Sequence, residues 1–137
     1  MEEKFRRVSV VIPLHNEGEN IPSLLEELDG VVSSAGVLEA VLVDDKSEDK
    51  SLELLRGLKE AFGWLRVVSH LQRGGQSMAL LMGIRYARGE VIVTMDGDGQ
   101  NDPKDIGRLL EVFFENLSAF LLVVGRRRKR KDSWIKR

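Results

Sequence analysis

Residues 91–103 read VIVTMDGDGQNDP, a short apolar run that ends in a cluster of acids and glycines. Val91–Met95 has the composition of a buried β-strand. Asp96 and Asp98 follow it, and residues two apart in an extended chain point to the same side. The flanking glycines let the backbone approach a ligand closely. Carboxylate oxygens suit Mg²⁺ or Mn²⁺, and such a cation would bind a diphosphate. A solvated Asp/Gly-rich turn is the alternative.

The same pattern of a short apolar strand followed by polar residues recurs along the chain. Strands are predicted at residues 8–12, 40–43, 65–68, 91–95 and 119–124, with amphipathic helices between them. Pro13 is expected to stop the first strand, Gly89 to end the third helix, and Asp102-Pro103 to begin the fourth. Ser47 or Asp49 is expected to cap the second helix. This alternation predicts an α/β fold with a mostly parallel sheet and helices on both faces.

Ligands of such sheets bind beyond the carboxyl ends of the strands, at the point where the strand order reverses. Polar residues follow the first, second and fourth strands at this edge. Asp45 offers an acceptor for hydroxyl or ring N–H groups, although helix capping is the alternative role for either Asp44 or Asp45. Asn16 is expected to hold its loop together through side-chain to backbone hydrogen bonds.

Other conspicuous side chains are interpreted as structural. His70 falls at the end of the third strand, and Trp64 is expected to pack at a helix end. Met78 and Met82 are expected in the core.

Composition limits the class of protein. The chain has 137 residues, of which 42% are hydrophobic, and no cysteine, so we expect one domain without disulfides or thiolate metal sites. No apolar run approaches the ~20 residues that span a bilayer, and the N-terminus lacks the apolar region of a secretory signal. A cytoplasmic protein is expected.

Charge is divided unevenly along the chain. Residues 126–137 hold eight Lys/Arg and one Asp, whereas the remainder is acidic. A basic tail that contains Trp134 suggests a peripheral contact with an anionic membrane surface on the cytoplasmic side. Nucleic acid is the rival anion, but the acidic body disfavours it, and no nucleic-acid partner is expected.

The polar motifs resemble those of the family 2 glycosyltransferases, which have the GT-A fold. They are Pro-Leu-His-Asn-Glu at 13–17, Asp-Asp-Lys-Ser-Glu-Asp at 44–49 and Asp-Gly-Asp at 96–98. Gln-Asn-Asp-Pro at 100–103 narrows the resemblance to the polyprenyl-phosphate branch, which is similar to dolichol-phosphate mannosyltransferases. The resemblance covers nearly the whole chain and implies a Rossmann-like GT-A nucleotide-binding core over residues 1–125. Residues 126–137 would begin an acceptor or membrane-proximal region, which would be truncated here.

The resemblance also implies the site residues. The nucleotide-sugar donor would be bound by Pro13, His15, Glu17, Val43, Asp45, Asp96, Gly97, Asp98 and Arg127. Asp98 would be the direct ligand of Mg²⁺ or Mn²⁺, with Gln100 and Asp96 as further ligands. Asp96, Asp98 and Arg127 would be the catalytic residues, because the metal stabilises the departing diphosphate and a guanidinium suits its oxygens.

The function implied is metal-dependent transfer of a sugar from GDP-mannose or a UDP-sugar to a polyprenyl or dolichyl phosphate, with inversion. A nucleotide-sugar-binding core without turnover is the alternative, since relatives usually continue into acceptor-binding elements. A Rossmann dehydrogenase is disfavoured, because it would need a Gly-x-Gly-x-x-Gly turn after the first strand and residues 13–18 do not supply one. A receiver domain is disfavoured, because its acid pair would follow the first strand, whereas the pair in this chain follows the second.

The motifs depart from the family at His15, where tyrosine is common, and at Lys46, where glycine is common, so a positive φ at Lys46 is not expected. The sugar, the base, the lipid and the oligomeric state are left open.

Overall fold

The computed structural model describes residues 8–97 and 102–116. In chain order its elements are β1 (Val8–Leu14), α1 (Ile21–Ala35), β2 (Glu39–Asp44), α2 (Ser51–Leu58), β3 (Leu65–Ser69), α3 (Gln76–Tyr86), β4 (Val91–Thr94) and α4 (Asp105–Glu115). The predicted alternation of strands and helices is confirmed over this part. The strand predicted at 119–124 and the basic tail lie outside the described residues. No helix in the described ranges is long and apolar enough to cross a membrane.

The four described strands form one parallel sheet in the order β3-β2-β1-β4. Successive strands therefore run outward from β1 to β3, and the chain then returns to the other side of β1. Ile12 lies opposite Leu42 on one side of β1, and Val11 lies opposite Thr94 on the other. The order reverses between β1 and β4, which is where α/β sheets bind ligands. The predicted α/β class is confirmed.

Helices cover both faces of the sheet. Alternate residues of β1 point to opposite faces, and the side chains on each face pack against helices. Val10 and Ile12 belong to a large apolar cluster with residues of α1, α2 and α4. Val11 belongs to a smaller cluster with Ala79 of α3. The apolar face predicted for α1 is confirmed, since its buried residues are Ile21, Leu24, Leu25, Leu28 and Val31.

Helix α3 approaches the sheet most closely at two small residues. Ala79 and Gly83 are its buried positions, and a Cβ atom added to Gly83 would collide with the side chain of Val11 and make a tight contact with that of Val43. The prediction that Met78 lies in the core is wrong, because its side chain is 47% exposed. Met82 is partly buried against the smaller cluster. Close approach of the helix leaves no room for a large side chain beneath it.

The prediction that Pro13 stops the first strand is wrong, because β1 continues through it to Leu14. The carbonyl of Val11 accepts a hydrogen bond from Met95 on the β4 side, and the carbonyl of Leu14 accepts one from Asp45 on the β2 side. Pro13 therefore faces the β4 side, just past the last residue of that strand. Its missing N–H interrupts no bond within the ladder, so proline is tolerated there.

Two helix starts differ slightly from the prediction. Helix α2 begins at Ser51, and neither Ser47 nor Asp49 is its N-cap residue; Asp49 nevertheless accepts a hydrogen bond from the Ser51 N–H at 2.9 Å. Helix α4 begins at Asp105, three residues after Asp102. The Asp102 carboxylate accepts the N–H of Lys104 at 3.0 Å, so it organises the turn that precedes the helix.

A buried polar network closes the amino-terminal edge of the sheet. The Glu39 carboxylate, at the start of β2, accepts hydrogen bonds from the Ser9 hydroxyl at 2.6 Å, the Arg88 N–H at 2.6 Å and Arg66 at 2.9 Å. Arg66 also donates to the carbonyl of Tyr86 at 2.6 Å. Burial opposes ionisation of Glu39, but the Arg88 N–H, Ser9 and Arg66 outweigh it and hold the pKa of Glu39 below its usual range. The prediction that Gly89 ends this helix is wrong, because α3 ends at Tyr86, whose carbonyl belongs to the network.

Candidate active site at the carboxyl edge of the sheet

Three backbone hydrogen bonds extend the parallel pairing past the ends of the strands. Asp45 N–H donates to the Leu14 carbonyl at 2.8 Å, His70 N–H to the Asp44 carbonyl at 3.0 Å, and Met95 N–H to the Val11 carbonyl at 3.2 Å. The residues that follow β1, β2, β3 and β4 therefore leave the sheet side by side. The predicted common edge for these polar residues is present.

Asp45 is a buried acid at this edge that accepts three hydrogen bonds, and only 4% of its side chain is exposed. Its Oδ1 accepts hydrogen bonds from the Gly74 N–H and from His70 Nδ1, both at 2.8 Å, and its Oδ2 accepts one from the Gly75 N–H at 2.8 Å. Burial disfavours the charged form, but the Gly74 N–H, His70 and the Gly75 N–H outweigh it and hold the pKa of Asp45 below its usual range. Asp45 is therefore an ionised carboxylate that joins β2 to the loop before α3.

Asn16 ties the loop after β1 to the loop after β2. Its side-chain oxygen accepts hydrogen bonds from the N–H groups of Glu48 at 2.7 Å and Asp49 at 3.2 Å. Its backbone lies in the left-handed region, with φ of 55°, which asparagine tolerates better than most residues. The predicted loop-forming role of Asn16 is confirmed. His15, beside it, places Nδ1 2.9 Å from the backbone carbonyl of Asp45.

Asp44 shapes the turn that follows β2. It is buried and accepts hydrogen bonds from both the N–H, at 3.0 Å, and the hydroxyl of Ser47. These hydrogen bonds between the Asp44 side chain and Ser47, three residues later, form a tight turn. Lys46 consequently has a φ of 51°, so the expectation of a negative φ at this position is wrong. The left-handed conformation costs a non-glycine residue about 1–2 kcal/mol, and the Asp44–Ser47 bonds offset it.

The other donor-site residues predicted after β1 and in β2 differ in accessibility. Glu17 is half-buried, and its carboxylate accepts a hydrogen bond from Asn20 at 2.8 Å. Pro13 is buried in the strand. Val43 has no exposed surface because it lies in the layer beneath α3. A ligand could contact the Val43 side chain only if α3 moved.

The acidic segment after β4 is described only in part. Asp96 is exposed, and its Oδ1 accepts a hydrogen bond from the Gln76 side chain, in the first turn of α3, at 2.9 Å. Gly97 is buried, and a Cβ atom there would collide with Leu14. Predicted ligands Asp98 and Gln100, and also Arg127, lie outside the described residues.

Within residues 8–97 and 102–116, no three His, Asp or Glu side chains are grouped to hold a metal ion. The carboxylate of Asp96 has the hard oxygen chemistry that Mg²⁺ and Mn²⁺ require. The further ligands predicted for a metal site at this edge, Asp98 and Gln100, lie outside the described residues.

The segment between β3 and α3, residues 70–75, belongs to the site, although its sequence pattern predicts no function for it. His70, Gly74 and Gly75 contact the Asp45 carboxylate, Arg73 Nε lies 3.8 Å from it, and Gln76 contacts Asp96. Gly75 has a φ of 89°, which only glycine adopts readily. The signal that could have revealed this segment is a pair of glycines at a predicted strand end, at the edge where the acids converge.

Comparison with known proteins agrees with this arrangement. The sequence model of the family Glycosyl transferase family 2 matches residues 9–137, and the chain belongs to that family. It is 37% identical over 138 aligned residues to the undecaprenyl-phosphate 4-deoxy-4-formamido-L-arabinose transferase of Serratia proteamaculans, an alignment that covers 98% of this chain and 41% of the relative.

Solved structures show the same fold. The mannosyltransferase PcManGT of Pyrobaculum calidifontis, in complex with GDP-Man and Mn²⁺, superimposes with a TM-score of 0.57 at 33% identity, over 67% of this chain and 27% of that one. TarS of S. aureus superimposes with a TM-score of 0.68 at 23% identity, over 81% of this chain and 33% of that one. The fold is GT-A, as predicted. The chain spans well under half of the length of these proteins.

Proposed function

We propose that the protein is an inverting glycosyltransferase that moves a sugar from a nucleoside-diphosphate sugar to a polyprenyl phosphate, with the help of a divalent cation. The observation that carries the proposal is that His15, Asp45 and Asp96 follow the neighbouring strands β1, β2 and β4 at the sheet edge where the strand order reverses. Membership of family 2 supports the reaction type. The name of the Serratia relative, an undecaprenyl-phosphate transferase, supports a polyprenyl-phosphate acceptor.

The donor nucleotide is assigned to the loops after β1 and β2. A carboxylate has about four positions at which its oxygens accept hydrogen bonds, and protein donors occupy three of them on Asp45. The remaining position is on Oδ2, and it would accept an N–H group of the base or a ribose hydroxyl. His15, on the neighbouring loop, and Glu17 are half-buried and complete the proposed nucleotide site.

The cation is assigned to Asp98, with Gln100 and Asp96 as additional oxygen ligands. A cation bound there would act as a Lewis acid that neutralises the charge developing on the departing nucleoside diphosphate. Gln76 fixes the Oδ1 atom of Asp96 from the first turn of α3. Arg127 is assigned to the phosphate oxygens, which a guanidinium binds through paired donors.

The acceptor requires little help from the protein. A phosphate group is ionised near neutral pH and is already nucleophilic, so the reaction needs no general base. Attack from the side opposite the departing diphosphate inverts the anomeric carbon. The basic residues 126–131 would contact the anionic surface of the membrane that contains the lipid acceptor.

The proposal is tested by titrating the 137-residue chain with UDP, GDP and their sugars, by calorimetry in Mn²⁺ and in EDTA. We expect binding that depends on the cation and that Asp98→Ala abolishes. Asp105→Ala is the matched control, because it removes an exposed carboxylate of the same type from α4. Equal affinity in Mn²⁺ and in EDTA would refute the metal assignment, and no binding of any nucleotide would refute the donor site.

A transfer assay separates catalysis from binding alone. The chain is incubated with the donor that binds best and with a polyprenyl phosphate, and the glycolipid is detected by mass spectrometry. Donor binding without transfer would favour a nucleotide-sugar-binding core over a complete enzyme.

A further inference from the structure

His70 lies directly after β3 and contacts the acid assigned to the nucleotide. Its Nδ1 atom is 2.8 Å from Asp45 Oδ1, and its side chain is 8% exposed. Its other ring nitrogen, Nε2, is buried and has no hydrogen-bond partner in the described part of the chain. Buried polar atoms are nearly always paired, so an unpaired one calls for a physical reason.

The contact with Asp45 determines which nitrogen carries the proton. An ionised carboxylate only accepts hydrogen bonds, so Nδ1 must be the donor. In the neutral ring Nε2 is then an acceptor, and no described donor reaches it. An apolar ring would fill the same space without an unpaired nitrogen. The contact through Nδ1 is therefore the property that distinguishes histidine at this position from a packing residue.

His70 differs from the other two donors to Asp45 in the way it is anchored. Its backbone N–H donates to the Asp44 carbonyl at 3.0 Å, which joins it to the end of β2. Gly74 and Gly75 belong instead to the connection before α3, in which residues 71–74 are exposed. A ligand that shifted this connection would move the two glycine donors. The His70 ring would continue to fix Oδ1 relative to the sheet.

We propose that His70 is a positioning residue for base selectivity, because it fixes the Asp45 carboxylate so that the free acceptor position on Oδ2 faces the base. This inference rests on the proposed function, since it assumes that a nucleotide binds beside Asp45. Arg73 Nε lies 3.8 Å from the same oxygen and is 63% exposed in its side chain, so a ligand can displace it.

A fixed carboxylate discriminates between bases by whether the ring nitrogen that faces it donates or accepts a hydrogen bond. Uracil and guanine present a ring N–H, which a carboxylate oxygen can accept. Cytosine presents a bare ring nitrogen at the corresponding position, which is itself an acceptor and repels the carboxylate. A carboxylate that can rotate away from the base loses part of this discrimination. The ratio of affinities for different nucleotides therefore reports on His70, whereas the absolute affinity also reports on the rest of the site.

The test measures dissociation constants of UDP, GDP and CDP in the presence of Mn²⁺ for the 137-residue chain and its variants. We expect the wild type to prefer UDP or GDP over CDP. His70→Leu should reduce that preference about tenfold, the effect of losing one hydrogen bond to a charged group. His70→Asn, whose amide can donate from near the position of Nδ1, should stay within about threefold of the wild type. Leu71→Ala, in the neighbouring exposed residue, is the control and should leave the preference unchanged.

An unchanged preference in folded His70→Leu would overturn the inference. Should His70→Leu fail to fold, as judged by circular dichroism, His70→Asn is compared with His70→Gln, whose longer amide does not reproduce Nδ1. Equal preferences in these two variants would also overturn it. A wild type that binds nucleotides without preferring a base refutes the role of His70 alone. A wild type that binds no nucleotide refutes the proposed function as well.

Discussion

The substitution Gly83→Ala tests whether the stability of the protein depends on the close contact between α3 and the sheet at Gly83. Gly83 is buried in α3, and an added Cβ atom would collide with Val11 and would lie 3.0 Å from Val43 Cγ2. Both neighbours belong to the inner strands of the sheet and are fully buried, so neither can move aside easily. The helix must therefore shift outward to accommodate the methyl group.

Two effects of opposite sign determine the size of the change. Alanine is favoured over glycine in a helix interior by about 1 kcal/mol. Forcing an extra carbon into a well-packed core typically costs about 1–3 kcal/mol. The sum is a net loss of stability of up to about 2 kcal/mol, in contrast with the gain that helix propensity alone would give.

Gly30→Ala isolates the steric contribution. Gly30 lies inside α1, and a Cβ atom there would meet nothing within 4 Å. The propensity gain is common to both variants, so the difference between them measures the collision alone. Urea denaturation followed by circular dichroism should place the unfolding free energy of Gly83→Ala about 1–3 kcal/mol below that of Gly30→Ala. Equal stabilities of the two variants would refute the close contact between α3 and the sheet.

Three further predictions concern the two ends of the sheet and the tail. Asp45→Asn should weaken nucleotide binding more than Asp44→Asn, because Asp45 holds the free acceptor position; calorimetry decides, and the reverse order would transfer the role to Asp44. Glu39→Gln should lower the unfolding free energy by about 2 kcal/mol at pH 7, since it weakens charged hydrogen bonds. The pKa of Glu39 is lowered on folding, so this difference should shrink as pH falls below 4.5 and through the folded pKa; a difference independent of pH in urea titrations would contradict it. Neutralising residues 128–131 together should reduce sedimentation with anionic vesicles, more so at low salt, while nucleotide affinity stays unchanged; equal binding to neutral vesicles would refute the membrane contact.

The strands and the position of the site could be predicted from the sequence because both depend on short local patterns. Each strand consists largely of apolar residues, and Asp45 and Asp96 lie within two residues of the ends of β2 and β4. Once the sheet is parallel, the ends of β1, β2 and β4 must share an edge. The loop role of Asn16 was likewise predictable, because an asparagine after a strand readily bonds to backbone N–H groups.

The features that the sequence did not predict arise from contacts between distant segments. The left-handed backbone of Lys46 follows from the Asp44–Ser47 bonds, which a propensity rule for Lys46 does not include. The exposure of Met78 follows from the approach of α3 at Gly83, which only the packed helix reveals. The contact of His70 with Asp45 joins residues 25 positions apart. Periodicity within one element contains no information on such pairs.

Strand β2 holds helix α3 at both ends through a buried acid. Asp45, directly after the strand, accepts the N–H groups of Gly74 and Gly75 before α3 begins. Glu39, the first residue of the strand, accepts the N–H of Arg88 just after α3 ends. Between these points the fully buried residues of the helix are small, and Leu80 and Met82 are partly buried against the same apolar cluster, so the two acids add a polar attachment at each end of the helix to this apolar packing.

This arrangement connects the stability of α3 to the site. Gln76, in the first turn of α3, contacts Asp96, so the position of the helix start affects an acid that is proposed to bind the cation. A ligand that shifted the connection before α3 would move Gly74 and Gly75 away from Asp45 and loosen that start, whereas Glu39 would still hold the other end. Asp45 therefore joins the start of α3 to the edge of the sheet where the substrate is proposed to bind, and Glu39 joins its end to the opposite edge.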